Sequence, residues 1–148
     1  WIRRYHATLA SLCLLAFITG EWGWIHSWLG YGVAIVIALR LLWALSGARQ
    51  VGLMRFYPSF EGLNVSNLFT HPAISKSLML GIAISVIAAT ATGLIIDGEK
   101  EESFLGEAHE LFANAMMLFV GMHASYLFLF KRPLAKFMLF IPKQRDKI

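Results

Sequence analysis

The sequence predicts an all-α fold, a transmembrane four-helix bundle, from three observations. Hydrophobic residues make up 57% of the 148 residues and charged residues only 15%. The mean hydropathy of +0.61 is higher than that of ordinary soluble domains. Four apolar stretches approach or exceed the length needed to cross about 30 Å of hydrocarbon. No repeat or linker divides the chain, so a single membrane domain over residues 1–148 is expected.

The four spans are expected at about residues 5–20, 26–46, 74–96 and 105–130. The first span is short, but Trp1 and Ile2 extend it, while Arg3 and Arg4 reach the lipid headgroups by snorkelling. It is expected to be a membrane helix rather than a cleavable signal peptide, because no small-residue cleavage site precedes the first loop. Only segment 47–73 is long enough to hold an additional interfacial helix.

The charged residues predict the orientation of the bundle. Four spans place both termini on one side, together with the connection between helices two and three. That side is rich in basic residues: Arg3, Arg4, Arg49, Arg55, Lys76, Lys131, Arg132, Lys136, Lys143, Arg145 and Lys147. The other side has Lys100 as its basic residue and is rich in acidic ones: Glu21, Asp97, Glu99, Glu101, Glu102, Glu107 and Glu110. Both termini are therefore expected in the cytoplasm.

The one-sided charge distribution argues against nucleic acid as a partner. The sequence pI is near 9.5, but basic residues confined to one face of a membrane protein are explained by topology and by anionic membrane lipid. The single cysteine, Cys13, lies in the middle of the first span and is expected to be a small core residue. The chain has no C-x-x-C-H motif and no cysteine set for an iron–sulfur cluster.

Four histidines fall at two depths of the predicted bundle. His26 and His109 begin helices two and four on the periplasmic side, whereas His6 and His123 lie toward the cytoplasmic ends of helices one and four. Fourteen residues separate His109 from His123, which corresponds to about 21 Å and about 3.9 turns of one helix. Helix four is therefore expected to serve two sites, each completed by a histidine from another helix.

Paired neutral imidazoles in an apolar bundle favour haem iron over zinc. Zinc takes three or four protein ligands, and only Glu107 and Glu110 near the periplasmic mouth are available beyond the histidines. Haem iron needs two axial ligands, and two imidazoles saturate it, which favours electron transfer over oxygen binding. Small residues in helices two and four either leave room for the macrocycle or serve ordinary helix packing; they are Gly30, Gly32, Ala34, Gly121 and Ala124.

The motifs around these histidines resemble those of the bacterial cytochrome b561 family, which includes the b-type subunits of nickel–iron hydrogenases. They are R-x-x-H (Arg3 to His6), H-x-W-L-G-Y (His26 to Tyr31), R-L-L-W (Arg40 to Trp43), and H-E-L-x-A-N followed by G-x-H (His109 to Asn114, Gly121 to His123). The resemblance covers essentially the whole chain. It implies a four-helix protein of the bacterial inner membrane with two b haems, which passes electrons between the quinone pool and a second redox partner.

The resemblance also implies the ligands and partners. By position, His26 with His109 would hold the periplasmic haem, and His6 with His123 the cytoplasmic haem. The implied partners are quinone and a periplasmic c-type cytochrome or a dehydrogenase or hydrogenase subunit. The same family includes a stand-alone superoxide:quinone oxidoreductase, so the choice between an electron-transfer subunit and such an enzyme stays open.

Two other polar residues have competing interpretations. Arg40 lies fourteen residues after His26, on nearly the same helix face and about 21 Å deeper. It is predicted to neutralise a propionate of the cytoplasmic haem, and snorkelling to the headgroups is the alternative. His71, which precedes Pro72, is expected to be an interfacial or N-cap-region side chain. Its alternatives are to replace His6 as a ligand or to bond a quinone carbonyl.

Hypotheses from other classes explain the sequence less completely. The four membrane histidines suit a proton relay in a channel or transporter, but no carboxylate lies between the predicted interfaces. A haem-free assembly subunit leaves the two depth-matched pairs unexplained. The acidic segment D-G-E-K-E-E-S-F at residues 97–104, with the glutamates that follow it, is interpreted as a docking surface for a basic periplasmic carrier.

Overall fold

The computed structural model describes residues 2–45, 57–67, 69–96 and 104–139, and within these ranges every regular element is helical. The elements are α1 (Ile2–Ile18), α2 (Trp24–Leu45), a 3-10 turn (Val65–Asn67), α3 (Pro72–Ile96), α4 (Phe104–Phe130) and α5 (Arg132–Met138). The prediction of an all-α helical bundle is confirmed. Residues 46–56, which begin the connection with room for an interfacial helix, lie outside the described ranges.

Three helices are long and apolar enough to cross a membrane: α2 with 22 residues, α3 with 25 and α4 with 27. Helix α1 has 17 residues, which corresponds to a rise of about 26 Å and is slightly less than the hydrocarbon thickness. The described helices begin one to three residues before the expected spans. The four-span arrangement itself stays a prediction.

The bundle consists of two helical hairpins. The largest interface joins α3 to α4, α1 packs on α2, and a smaller contact between α2 and α3 joins the hairpins. At mid-height the four long helices share one apolar cluster of buried residues. It consists of Cys13 from α1, Val33 and Ile37 from α2, Val86 from α3 and Met116 from α4. Cys13 is a buried free thiol in this cluster, as expected for a core residue.

The short helix α5 is absent from the sequence-based prediction. The chain turns at Lys131, and α5 then begins with a proline in its first turn, where a missing N–H costs nothing. Ala135 is buried against Tyr126 of α4, and the Arg3 guanidinium lies 4.4 Å from the centre of the Phe137 ring. A segment of seven residues is too short to show a helical period, so tertiary contacts decide its conformation.

Two glycines of α3 allow α4 to approach closely, and neither was singled out from the sequence. A Cβ added at Gly81 would lie 2.8 to 3.0 Å from ring carbons of Phe119, and one at Gly93 would lie 3.0 Å from His109 Cε1. By contrast, an added Cβ at Gly30 or Gly121 would meet nothing within 4 Å. The close packing of the bundle therefore depends on small residues of helix three.

Replacing Gly81 by valine is expected to destabilise the α3–α4 hairpin. The new methyl groups would overlap the Phe119 ring, and overpacking of this kind costs about 1 to 3 kcal/mol. Thermal unfolding in detergent should show a lower midpoint for Gly81→Val than for the parent. Gly121→Ala is the matched control because its Cβ meets open space. Equal unfolding midpoints for Gly81→Val and Gly121→Ala would contradict this account, whereas partial recovery on adding Phe119→Leu would support it.

Candidate functional site

The structure brings His26 and His109 together at the end of the bundle that contains the α1–α2 turn. His26 is in the first turn of α2 and His109 is in the second turn of α4. Their ring centroids are 5.8 Å apart and the ring planes are inclined at 81°. Both side chains are half-buried. Two histidines that are 83 residues apart in sequence therefore form one pair.

Each imidazole of this pair is anchored through Nδ1. His26 Nδ1 lies 2.9 Å from the carbonyl oxygen of Ala16, and His109 Nδ1 lies 2.8 Å from the carbonyl oxygen of Ala89. A carbonyl oxygen only accepts hydrogen bonds, so these contacts assign the proton of each neutral ring to Nδ1. The lone pair then resides on Nε2, which is the arrangement of a histidine that binds a metal and bonds the protein through its other nitrogen.

The acceptor for His26 is available because α1 ends there. The Gly20 N–H bonds the carbonyl of Phe17 at 3.4 Å, so the Ala16 carbonyl does not receive the usual bond from four residues ahead. Carbonyls without a backbone donor are a feature of every helix C-terminus; that of Ala16 accepts from the Thr19 hydroxyl at 3.3 Å as well as from His26 Nδ1. Gly23 has a φ of +48°, a left-handed conformation that glycine adopts without steric cost. The tight turn around Gly23 places the start of α2 beside the end of α1.

The surroundings of His109 come from α3, to which the sequence analysis assigned no ligand and no other role. The Thr92 hydroxyl lies 3.3 Å from His109 Nδ1 and donates to the Ala88 carbonyl at 2.8 Å. Gly93 has no side chain, and an added Cβ would lie 3.2 Å from His109 Nδ1. The only signal in the sequence was a threonine–glycine step inside an apolar span.

The second pair, His6 and His123, lies toward the other end of the bundle and differs in its surroundings. The two imidazoles are near enough for their charges to interact, although His6 is exposed and His123 half-buried. His123 Nδ1 is buried and has no hydrogen-bond partner among the described residues. The half-buried Arg40 is within electrostatic range of Tyr5, the neighbour of His6. The structure thus brings Arg40 to the His6–His123 end of the bundle.

An apolar layer separates the two pairs. Met116 is seven residues from His109 and seven from His123, and it belongs to the mid-height cluster with Val33, Ile37 and Val86. Cys13, the remaining buried member, is seven residues after His6 in α1. The two polar sites are therefore connected through packed side chains rather than through a chain of hydrogen bonds.

His71 caps α3 and uses both ring nitrogens in doing so. Its Nδ1 accepts the Ala73 N–H at 3.2 Å, and its Nε2 is 3.1 Å from the carbonyl oxygen of Glu61. This pattern requires the proton on Nε2, the opposite tautomer to that of His26 and His109. These contacts agree with the N-cap interpretation, because a side chain that accepts from the second helical residue satisfies a free donor of the helix start.

Several charged residues of the sequence analysis lie outside the described part of the chain. They are Arg49, Arg55, Asp97, Glu99, Lys100, Glu101, Glu102, Lys143, Arg145 and Lys147. Of the acidic residues at the His26–His109 end of the bundle, three are described: Glu21 is exposed in the α1–α2 turn, and Glu107 and Glu110 are exposed in the first two turns of α4. They give this end of the bundle a negative surface.

The donor set fits a metal that takes two protein ligands. In the described ranges, no group of three or more His, Cys, Asp and Glu side chains converges, so a zinc-type ligand set is not formed there. Two imidazole nitrogens at about 2.0 Å from one metal ion hold their ring centroids roughly 6 Å apart, close to the 5.8 Å of the His26–His109 pair. A membrane helical bundle with such a pair defines the class of b-type membrane cytochromes.

The chain belongs to the prokaryotic cytochrome b561 family, whose family model matches residues 1–140. No curated protein and no solved structure matches it significantly. The family resemblance drawn from the sequence motifs is confirmed. Membership implies a b-type haem cofactor and electron transfer in a prokaryotic membrane.

Proposed function

We propose that the protein is a di-haem cytochrome that transfers electrons across the bacterial inner membrane, between the quinone pool and a periplasmic redox partner or small oxidant. The observation that carries the proposal is the His26–His109 pair. The ring centroids of the two imidazoles lie 5.8 Å apart in an edge-to-face arrangement. Each ring donates its Nδ1–H to a backbone carbonyl. The Nε2 lone pairs are left for iron.

The four membrane histidines would hold two haems. His26 with His109 binds the periplasmic haem, and His6 with His123 binds the cytoplasmic haem. When bound, haem would supply a one-electron couple. The protein side chains fix the ligand orientation, exclude water and separate the two sites by the apolar cluster around Met116.

The packing between the pairs favours electron transfer over the proton-relay hypothesis. A proton relay needs a continuous series of hydrogen-bonding groups, whereas the mid-height cluster consists of aliphatic side chains, a thioether and a thiol. The buried hydroxyl of Ser85 precedes Val86 of that cluster, and a single hydroxyl does not form such a series. Electron tunnelling needs no such series. Family membership in a cytochrome group points in the same direction.

The orientation rests on the basic residues near the His6–His123 pair. The Arg3–Phe137 contact places the start of α1 beside α5, and α5 with its preceding turn contributes Lys131, Arg132 and Lys136. Basic residues accumulate on the cytoplasmic side of bacterial membrane proteins. The His6–His123 pair is therefore assigned to the cytoplasmic side and the His26–His109 pair to the periplasmic side.

The haem content tests the ligand assignment. The purified protein should show a Soret band and an α band that sharpens on reduction with dithionite, with about two haems per chain. His26→Ala or His109→Ala should remove the periplasmic haem, and His6→Ala or His123→Ala the cytoplasmic one, so each single variant retains about one. His71→Ala is the control and should retain two, because His71 caps a helix. Loss of a haem in His71→Ala but not in His6→Ala would show that the cytoplasmic pairing is wrong.

Replacing Arg40 by leucine is expected to lower the midpoint potential of the cytoplasmic haem. A guanidinium beside a propionate stabilises the electron-rich reduced state and is costly in the bundle unless it is paired. A redox titration followed at the α band measures the shift. Arg40→Lys retains the positive charge and should stay nearer the parent potential. An unchanged potential in Arg40→Leu would favour the snorkelling interpretation instead.

The acidic segment is proposed as the docking surface for a basic periplasmic electron carrier. Neutralising Glu99, Glu101 and Glu102 to glutamine should slow electron exchange with such a carrier at low ionic strength, and matter less in high salt, because exposed charges are screened. Both haem spectra should stay intact, which stopped-flow spectroscopy can monitor in the same experiment. Replacing Glu61, which belongs to the α2–α3 connection, is the matched control. Parent-like exchange by the triple variant at low salt would exclude this docking surface.

A further inference from the structure

We propose that Thr92 and Gly93 of α3 are positioning residues that hold His109 against the Ala89 carbonyl and make the two histidine pairs electronically unequal. The inference rests on the proposed function, because it concerns the imidazoles that would ligate haem iron. It adds a role for helix three, which supplies no ligand, and it ranks the two sites by their midpoint potentials.

The first step is the geometry of His109. Its Nδ1 is 2.8 Å from the Ala89 carbonyl oxygen, and this approach is open only because residue 93 lacks a side chain. A Cβ at position 93 would lie 3.0 Å from His109 Cε1 and 3.2 Å from Nδ1, which is tighter than ordinary contacts. The Thr92 hydroxyl oxygen lies 3.3 Å from the same Nδ1 atom. Gly93 therefore provides the space, and Thr92 a second acceptor.

The second step is the register of α3 against α4. The two helices run antiparallel, and the contacts between Gly81 and Phe119 and between Gly93 and His109 fix their alignment. From the Gly93–His109 contact to the Gly81–Phe119 contact, twelve residues of α3 correspond to ten residues of α4. The part of α3 beside His123 is therefore expected near residues 76–79, which include Leu78.

The third step is the difference that these residues create. Leu78 packs against the cluster of Tyr126 and Leu127, so a bulky apolar side chain lies in this part of α3, whereas Thr92 and Gly93 at the His109 end are small. The His123 ring gains no bond to α3, and its buried Nδ1 has no partner among the residues that the structure describes. His109 thus donates its Nδ1–H to a backbone carbonyl, whereas His123 does not.

The consequence follows from the chemistry of imidazole ligands. An Nδ1–H that donates to a carbonyl leaves more electron density on Nε2, which makes the ring a stronger donor to iron and stabilises the oxidised state. His26 has the same type of bond to the Ala16 carbonyl, so both His26 and His109 would stabilise the oxidised state of their haem. Of the two haems, the one of the His26–His109 pair is therefore expected to have the lower midpoint potential.

The experiment uses the His123→Ala variant, in which one haem remains and its potential can be assigned. In this background Gly93→Ala should move the His109 ring away from the Ala89 carbonyl and raise the midpoint potential, and it should change the g values of the ferric EPR spectrum. Thr92→Val keeps the shape but removes the hydroxyl, and should produce a smaller shift in the same direction. Thr92→Ser retains the hydroxyl and should restore the parent potential.

The control is Leu94→Val, which changes the neighbour of Gly93, a side chain that is 48% exposed; it should leave the potential unchanged. Parent potentials and EPR spectra in both Gly93→Ala and Thr92→Val, with haem still bound, would overturn this inference and leave the proposed function intact. Absence of haem from the parent protein would overturn the proposed function itself. If Gly93→Ala loses its haem while Leu94→Val keeps it, the positioning role is supported, and Thr92→Val decides the electronic one.

Discussion

An imidazole inside an apolar helical bundle is costly when its ring nitrogens lack partners, and this constraint organises the His26–His109 site. At the His26–His109 pair, backbone carbonyls meet the need on the Nδ1 side. One of them, that of Ala16, is available because α1 ends there and its last carbonyls lack helical donors. The other, that of Ala89, is within a continuous helix, where a carbonyl has a second lone pair to share. Both solutions leave the Nε2 lone pair of the neutral ring free of these backbone bonds.

The two hairpins supply acceptors for the two imidazoles in different ways. The α1–α2 hairpin brings the end of one helix against the first turn of the next, so a tight turn at Gly23 is part of the site. The α3–α4 hairpin instead uses close helix packing over Gly81 and Gly93. The mid-height cluster then joins the hairpins by apolar contact and places mainly apolar side chains between the two polar sites.

The α3–α4 pair surrounds His109 and His123 differently, because the side chains of α3 differ in size along the helix. Small residues at positions 92 and 93 admit the His109 ring, whereas Leu78 belongs to an apolar cluster near His123. The two ends of the bundle also differ in charge: exposed glutamates of α4 lie at the His109 end, and Arg40 lies near Tyr5 at the His123 end. Two sites of identical ligand chemistry can thus acquire different redox properties from their surroundings alone.

The sequence by itself determined the all-α class, the approximate positions of the long helices, the pairing of His26 with His109 and the family. These follow from apolar length, helical period and short motifs, all of which are local in the chain. Only the tertiary structure decided which carbonyls receive His26 and His109, that α3 supports a site without a ligand of its own, and that α5 forms beside α1. These depend on the register and closeness of helices that are remote in sequence, and no local pattern encodes where Gly93 will lie against His109.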